Sequence, residues 1–292
     1  MNQITRVGLV AKRHLDPAAG VLAELAGWLQ ARGIRAVFET ATAKLAGVPA
    51  DWPTSTREDL PNACDLVVVL GGDGTLIGMA DRIAAAGAAV PILGVNFGSL
   101  GFLTEITLDE LFPSLESVLA GTAAIDARAM LTARTMRGHE PFAEHTVLND
   151  IVITKAALSR IIEMTIHVGD DEVTRVRADG LIVATPTGST AYNMAAGGAI
   201  VHPAVDALLL TPIAPHTLTN RPIVIPAHSD VRVRPIMDAH DEAFVTFDGQ
   251  SGFPLAANDL VSIRRAAQPL LLVKSANRTY FDVLRQKLKW GG

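Results

Sequence analysis

The chain has 292 residues, 49% of them hydrophobic but only 5% aromatic, with a formal net charge of -5 and a single cysteine. That length suffices for two domains and a sizeable core built mainly of Ala, Val, Leu and Ile. The acidic balance argues against broad attraction to nucleic acid or anionic membrane, and no apolar stretch reaches the length that spans a bilayer. Cys64 has no partner for an internal disulfide, and the first residues lack the apolar segment of a secretory signal, so a reducing cytoplasm is expected.

Residues 6–11 read as a first buried strand. Val21, Leu25, Trp28 and Leu29 then share one face of a helix that Gly33 ends. A strand over 36–39 follows, and the segment holding Pro49, Pro53 and Pro61 reads as loop-rich. Residues 65–70 form a third strand, 77–86 a helix ending at Gly87, and 90–96 a fourth strand. Continuous apolar strands alternating with helices indicate a parallel sheet covered on both faces. A helix over 108–119 closes at Gly121.

The character changes after about residue 124. Short β-rich runs at 151–153, 161–168, 181–183, 231–233, 243–247 and 260–263 predict an all-β unit. Tyr280, Phe281, Leu284 and Leu288 recur at helical spacing, and this last helix is expected to return to the first domain. The expected architecture is a doubly wound parallel-sheet α/β domain over 1–124, joined by 278–292, plus an all-β, sandwich-like domain over 125–277.

Chemistry is suggested first by Gly71-Gly72-Asp73-Gly74-Thr75, directly after the apolar run 66–69. The glycines remove side chains that would keep a phosphate away. Asp73 is the only charged group in the turn, suited to position or deprotonate a hydroxyl or to hold a metal. A tight strand-to-helix turn with a capping Asp accounts for the same residues. The turn is neither a Walker loop nor a dinucleotide fingerprint. A second glycine-rich turn over 94–102, carrying Asn96 and Phe97, follows the neighbouring strand. Two such turns at adjacent strand ends make a crevice of the kind in which α/β sheets bind ligands.

In the second half, Asn149-Asp150 offers a donor and acceptor for an adenine edge and an acceptor for ribose hydroxyls, or is simply a turn. The stretch 177–193 runs from Arg177 and Asp179 into hydroxyls, glycine and small residues, which let a ligand lie against backbone. Tyr192 suits stacking on a base or a place in the core. His216, in the proline-fixed loop 211–216, reads as structural, and Asp248-Gly249-Gln250 as a hairpin turn. The histidines are scattered and no Cys-x-x-Cys occurs, so no dedicated metal cage is expected. A magnesium ion arriving with a nucleotide is compatible with the sequence.

In combination these pieces resemble the bacterial NAD kinase family, in family order: 71–75, 94–102, Asn149-Asp150, 179–193, 211–216 with Arg221-Pro222, and 248–250. The resemblance covers most of the chain, with little recognisable in 40–62 and 133–145. The glycine–Asp turn is shared with lipid kinases and, more loosely, phosphofructokinases, whereas the 185–193 run is far more specific. The family's fold is an α/β domain plus a β-sandwich-like domain, in homo-oligomers, here a dimer or tetramer.

The resemblance implies transfer of the ATP γ-phosphoryl group to the 2′-hydroxyl of NAD's adenosine ribose, giving NADP, with magnesium accompanying ATP. Asp73 matches the catalytic aspartate, and Gly72, Gly74 and Thr75 lie against the ATP phosphates. Asn96 and Phe97 line the crevice. Asn149 reads the adenine and Asp150 the ribose hydroxyls. Asp179 holds the nicotinamide end, and Thr190, Ala191, Tyr192, Asn193, Met194 and Ala195 line the dinucleotide pocket. Arg160, Arg177, Ala214 and Gln250 stand at further matching positions.

Two departures stand out. Asp150 replaces the Glu of many members, shortening reach to the ribose, and Gly78 replaces an Arg or Lys near the phosphates. A lipid kinase would show a basic or apolar membrane-facing patch, which this acidic chain lacks. A phosphofructokinase would continue the αβ repetition through the second half. A non-catalytic NAD sensor would keep the pocket residues without needing Asp73.

Overall fold

The computed structural model describes residues 3–156, 161–217, 219–237 and 242–291. The chain divides into two compact units, Met1–Ala127 with Leu270–Gly292, and Arg128–Pro269.

The first unit contains β1 (Arg6–Ala11), α1 (Ala18–Gln30), β2 (Arg35–Glu39), α2 (Thr40–Ala46), β3 (Thr54–Ser55) and α3 (Leu60–Ala63). Then come β4 (Leu66–Gly71), α4 (Asp73–Ala85), β5 (Ile92–Asn96), α5 (Leu111–Leu119) and β6 (Ile125–Arg128). The second unit holds β7 (Leu131–Arg137), β8 (Glu140–Val147), β9 (Asp150–Lys155), β10 (Ile162–Val168), β11 (Asp171–Ala178) and β12 (Gly180–Ala184). It continues with α6 (Tyr192–Ala195), β13 (Ala207–Ile213), β14 (Ile223–Pro226), β15 (Val231–Ile236), β16 (Ala243–Phe247), β17 (Ser251–Leu255) and β18 (Leu260–Arg265). The chain then returns to the first unit for β19 (Leu270–Val273) and α7 (Tyr280–Leu288).

The first sheet runs in the order β3-β2-β1-β4-β5-β19-β6. The pairs β1–β2, β1–β4, β2–β3, β4–β5 and β5–β19 are parallel. Every residue of β4 is buried, as a strand covered on both faces requires. Leu22, Leu25 and Leu29 of α1 pack with Leu9, Phe38 and Leu66 in one core.

Three features of this unit differ from the sequence expectation. The segment after β2, read as loop-rich around Pro49, Pro53 and Pro61, contains α2, β3 and α3. Helix α2 starts where the Glu39 carboxylate accepts from the Thr42 N–H and hydroxyl, both at 2.8 Å, and a capping Glu at a strand end carries little pattern to read. Helix α4 begins at Asp73 rather than 77, because a carboxylate at the first turn offsets the poor helix propensity of the glycines. Residues 270–277, grouped by sequence with the second domain, lie in the first unit, where Leu272 of β19 pairs with Ile92 of β5. A four-residue apolar strand does not announce which sheet it completes.

The second unit is two antiparallel sheets of six strands, ordered β11-β10-β15-β18-β7-β8 and β14-β13-β12-β9-β16-β17. Alternation does the sorting. On β15, Val231 and Val233 point into the core while Arg232 and Arg234 point out. Ile166, Val233 and Ile263 of one sheet meet Ile151, Val183 and Val245 of the other in a single core, so the unit is a sandwich. Strand β12 is buried on both faces, because its back, with Ile182 and Ala184, packs against Ala196 and Val201.

Cys64 is buried, and burial pushes its thiol up to about 12. Among the described residues no helix is long and apolar enough to cross a membrane.

Candidate active site

In the first unit, β4 delivers the chain into α4 through the glycine turn. A Cβ on Gly71 would lie 2.9 Å from Thr75 Oγ1 and 3.1 Å from Lys12 Cβ, so any side chain there forces the turn open. Among the described residues nothing lies within 4 Å of a Cβ placed on Gly72 or Gly74, so the space beside these two residues is open. The helix start they form leaves backbone N–H groups without intrahelical partners, favouring an anion.

Asp73 stands at the first position of α4, half-buried. Its Oδ1 accepts from Leu103 N–H (3.1 Å), Thr104 N–H (3.0 Å) and the Thr104 hydroxyl (2.9 Å). Among the described residues its Oδ2 accepts only the Phe102 N–H, at 2.8 Å. A carboxylate has about four acceptor positions, two per oxygen, so Oδ1 is filled and Oδ2 keeps room for a further donor. The loop reaches this carboxylate because residue 101 is glycine: a Cβ there would sit 2.0 Å from Asp73 Oδ1 and 2.4 Å from Thr104 Oγ1. Gly94 serves packing instead, since its Cβ would lie 2.6 Å from Leu76 Cδ1.

Asn96 is buried and committed to shaping that loop. Its Nδ2 donates to the Ser99 carbonyl (2.7 Å) and to Thr104 Oγ1 (3.1 Å), while its Oδ1 accepts the Gly98 N–H (2.6 Å). Phe97 packs against the first core. Both residues support the crevice wall, and the side chain of Asn96 has little left to offer a ligand.

In the second unit, the turn Leu148–Asn149–Asp150 joins β8 to β9. Asp248 Oδ2 accepts the Leu148 N–H (2.8 Å), and Oδ1 accepts the N–H groups of Asn149 (2.7 Å) and Asp150 (3.0 Å). The turn's carbonyls are taken too: Leu148 by the Thr185 hydroxyl (2.6 Å), Asn149 by the Thr185 N–H (2.9 Å), and Asp150 by the Asp248 N–H (3.0 Å). Gly188 closes over this turn, where a Cβ would meet the Asn149 carbonyl at 2.2 Å. Asp150 is 5% exposed, and burial together with the neighbouring Asp248 charge pushes its carboxyl up to about 7.

The run after β12 forms a 3-10 turn over Thr187–Thr190 and then α6. Tyr192 is 45% exposed, and Thr190, Ala191, Met194 and Ala195 are partly or fully exposed. Asn193 differs from its neighbours. It is fully buried, donating to the Ser189 and Ala199 carbonyls (both 3.1 Å) and accepting the Thr211 hydroxyl (2.6 Å). Its side chain therefore holds the segment's shape.

Asp179 and Ala214 lie at the other end of β12. Asp179 donates its N–H to the Ile213 carbonyl (2.9 Å), and its carboxylate lies 3.5 Å from Lys155 Nζ. Ala214 is exposed with φ +44°, a backbone that alanine rarely adopts. Asp150 pairs with Ala184 at one end of the β9–β12 ladder and Thr154 with Gly180 at the other. The two groups of expected residues are thus separated by a strand, about 17 Å. Arg177 is exposed on β11, its carbonyl accepting the His216 N–H (2.9 Å), and Gln250 is exposed beyond the 248–249 turn. Arg160 lies outside the described residues.

Sequence reasoning missed Thr104, Thr185 and the reach of Asp248. Their partners stand 31, 37 and up to 100 residues away, and no local pattern marks such contacts. Among the described residues, no group of three or more His, Cys, Asp and Glu side chains is placed to hold a metal ion.

The family models for the ATP-NAD kinase N-terminal and C-terminal domains match residues 7–123 and 148–275. The chain belongs to the NAD kinase family. It is 49% identical over 287 residues to the NAD kinase of Geobacter sulfurreducens, covering 98% of this chain and 99% of that one. The crystal structure of yeast NADH kinase complexed with NADH superposes with a TM-score of 0.88 at 24% identity, covering 100% of this chain and 89% of the other. The structure of an Archaeoglobus fulgidus NAD kinase in complex with ATP gives 0.76 at 24% identity, with 96% and 99% covered. At that identity the two structures establish the NAD kinase fold.

Proposed function

We propose that this chain transfers the γ-phosphoryl group of ATP to the 2′-hydroxyl of the adenosine ribose of NAD, giving NADP and ADP, with Asp73 as the catalytic residue. Membership of the NAD kinase family supports the reaction. The observation that carries the role of Asp73 is the asymmetry of its carboxylate, one oxygen filled by three donors and the other holding one. In this reading Oδ2 accepts the 2′-hydroxyl proton and aims the hydroxyl oxygen at the γ-phosphorus. As the new O–P bond forms, the bond from the γ-phosphorus to the bridging oxygen breaks, and ADP leaves with the electron pair. The proton passes to Oδ2 late, which suits a loose transition state and a weakly basic carboxylate.

The ATP phosphates lie over Gly72 and Gly74, where the start of α4 supplies N–H groups and positive potential. Magnesium enters as part of the nucleotide substrate. With four donors already on it, Asp73 is a poor resident ligand, so phosphate oxygens supply most of the coordination. Asn149 and Asp150 read the adenosine, the exposed face of 190–195 lines the dinucleotide, and Asp179 meets the nicotinamide end. The strand-length separation of these groups suits an extended dinucleotide.

A homo-oligomer in the cytoplasm completes the reading. The exposed apolar Ile223 and Val224 on edge strand β14 support self-association, and the buried, unpaired Cys64 suits a reducing compartment. Purified protein mixed with ATP, magnesium and NAD is expected to form NADP, read through a coupled dehydrogenase. Absence of NADP overturns the function. Full activity in Asp73→Asn overturns only the role given to Asp73.

A further inference from the structure

All six backbone polar groups of Leu148–Asp150 are bound by just two residues, Asp248 and Thr185. Three consecutive N–H groups converge on one carboxylate, a concave arrangement that selects an anion. The carboxylate reaches them because Asp248 and Gly249 have φ of +51° and +62°, forming a tight turn closed by the Gln250 N–H on the Phe247 carbonyl (2.9 Å). Asp-Gly is a pair that such a hairpin turn favours, so the turn accounts for the backbone. The turn does not account for a carboxylate aimed at three N–H groups of another turn, with its charge beside buried Asp150.

We propose that Asp248 is a positioning residue for NAD: its carboxylate holds the 148–150 backbone so that Asn149 and Asp150 are presented in the one arrangement that reads the adenosine. This rests on the reading of Asn149 and Asp150 as adenosine-binding residues. Asp248 acts through these two and touches neither the reacting hydroxyl nor the phosphates.

The test uses full-length enzyme and steady-state kinetics with NAD and ATP varied separately. Asparagine tolerates positive φ, so Asp248→Asn keeps the turn while setting an NH2 group against N–H donors. The KM for NAD is expected to rise about tenfold, with the KM for ATP and kcat within about twofold, the effect of one lost charge-assisted contact. Gly249→Ala strains the same turn, meets nothing within 4 Å, and leaves the carboxylate in place, so its KM for NAD is expected to stay near wild type. In a double-mutant cycle, Asp248→Asn adds little to Asn149→Ala, because the two share one function.

Equal KM changes in Asp248→Asn and Gly249→Ala, or an unchanged KM in Asp248→Asn, overturn the proposal. If Asn149→Ala and Asp150→Ala leave the KM for NAD unchanged, the adenosine reading itself fails, whatever Asp248 does. Should Asp248→Asn not fold, hydrogen exchange on the wild type decides. Protected amides at 148–150 before NAD is added support the proposal, and amides exchanging as freely as a loop overturn it.

Discussion

Asp73 and Asp248 perform the same act in two different units. Each accepts three consecutive backbone N–H groups, those of Phe102–Leu103–Thr104 and of Leu148–Asn149–Asp150. What differs is what surrounds each carboxylate. Asp73 is half-buried at the start of a 13-residue helix, beside open space at Gly72 and Gly74, and its Oδ2 bears one donor. Asp248 sits on a hairpin turn behind the residues it organises, and its charge weighs on Asp150. Binding a loop does not make an acid catalytic. The open space beside Gly72 and Gly74, at a helix start, is the distinguishing feature of Asp73.

The largest effect should come from Asp73. Replacement by Asn is expected to lower kcat roughly a thousandfold, the scale of a lost general base, with little change in KM for NAD. A large rise in KM with kcat preserved would make Asp73 a second Asp248 and dissolve the contrast. Gly101→Ala tests the same carboxylate from behind, because the new Cβ occupies the space of Oδ1. A loss of about a hundredfold in kcat is expected from the displaced acid, with NAD affinity spared, as measured by isothermal titration. Near-wild-type turnover in this variant would show that the loop, not Asp73, can yield without consequence.

The charge pair in the second unit yields a pH-dependent prediction. Burial and Asp248 raise the carboxyl of Asp150 to about 7, well above its value in the unfolded chain. The native state therefore binds the proton more tightly, and the resulting stability is complete below about pH 4 and lost as pH rises through about 7. Asp150→Asn removes this dependence. Urea midpoints should show the variant gaining roughly 1–3 kcal/mol on wild type between pH 5 and pH 8. Parallel pH curves for the two proteins would show that Asp150 ionises freely in the native state. Thr104→Val should have the smallest effect, about threefold in kcat, since it removes one of the four donors to Asp73. A loss as large as that of Asp73→Asn would mean that the loop, rather than the acid, carries the chemistry.

Much of the first unit was legible because its signals are local. The apolar runs of β1 and β4 and the stripe of α1 are periodicities within a few residues, and glycines mark several of the breaks. The short helix α2 was not legible, since its cap is a glutamate that also ends a strand. Residues 270–277 were grouped with the second domain because a short apolar strand such as β19 fits any sheet interior. In the site, Asp73 stood out by its glycine setting, while no local pattern marked the buried bonds of Asn193 to Ser189, Ala199 and Thr211.

The amino-acid sequence by itself determined the two-part architecture, the glycine turn and the residues that resemble the NAD kinase family. Those depend on periodicity, backbone freedom and motif order, all carried by neighbours along the chain. Only the tertiary structure decided what the two acids hold. Asp73 meets its loop about 30 residues on, and Asp248 meets its turn 98 to 100 residues back. Such pairings are set by which strands lie side by side, and a backbone N–H has the same appearance in sequence whether or not a carboxylate lies opposite it.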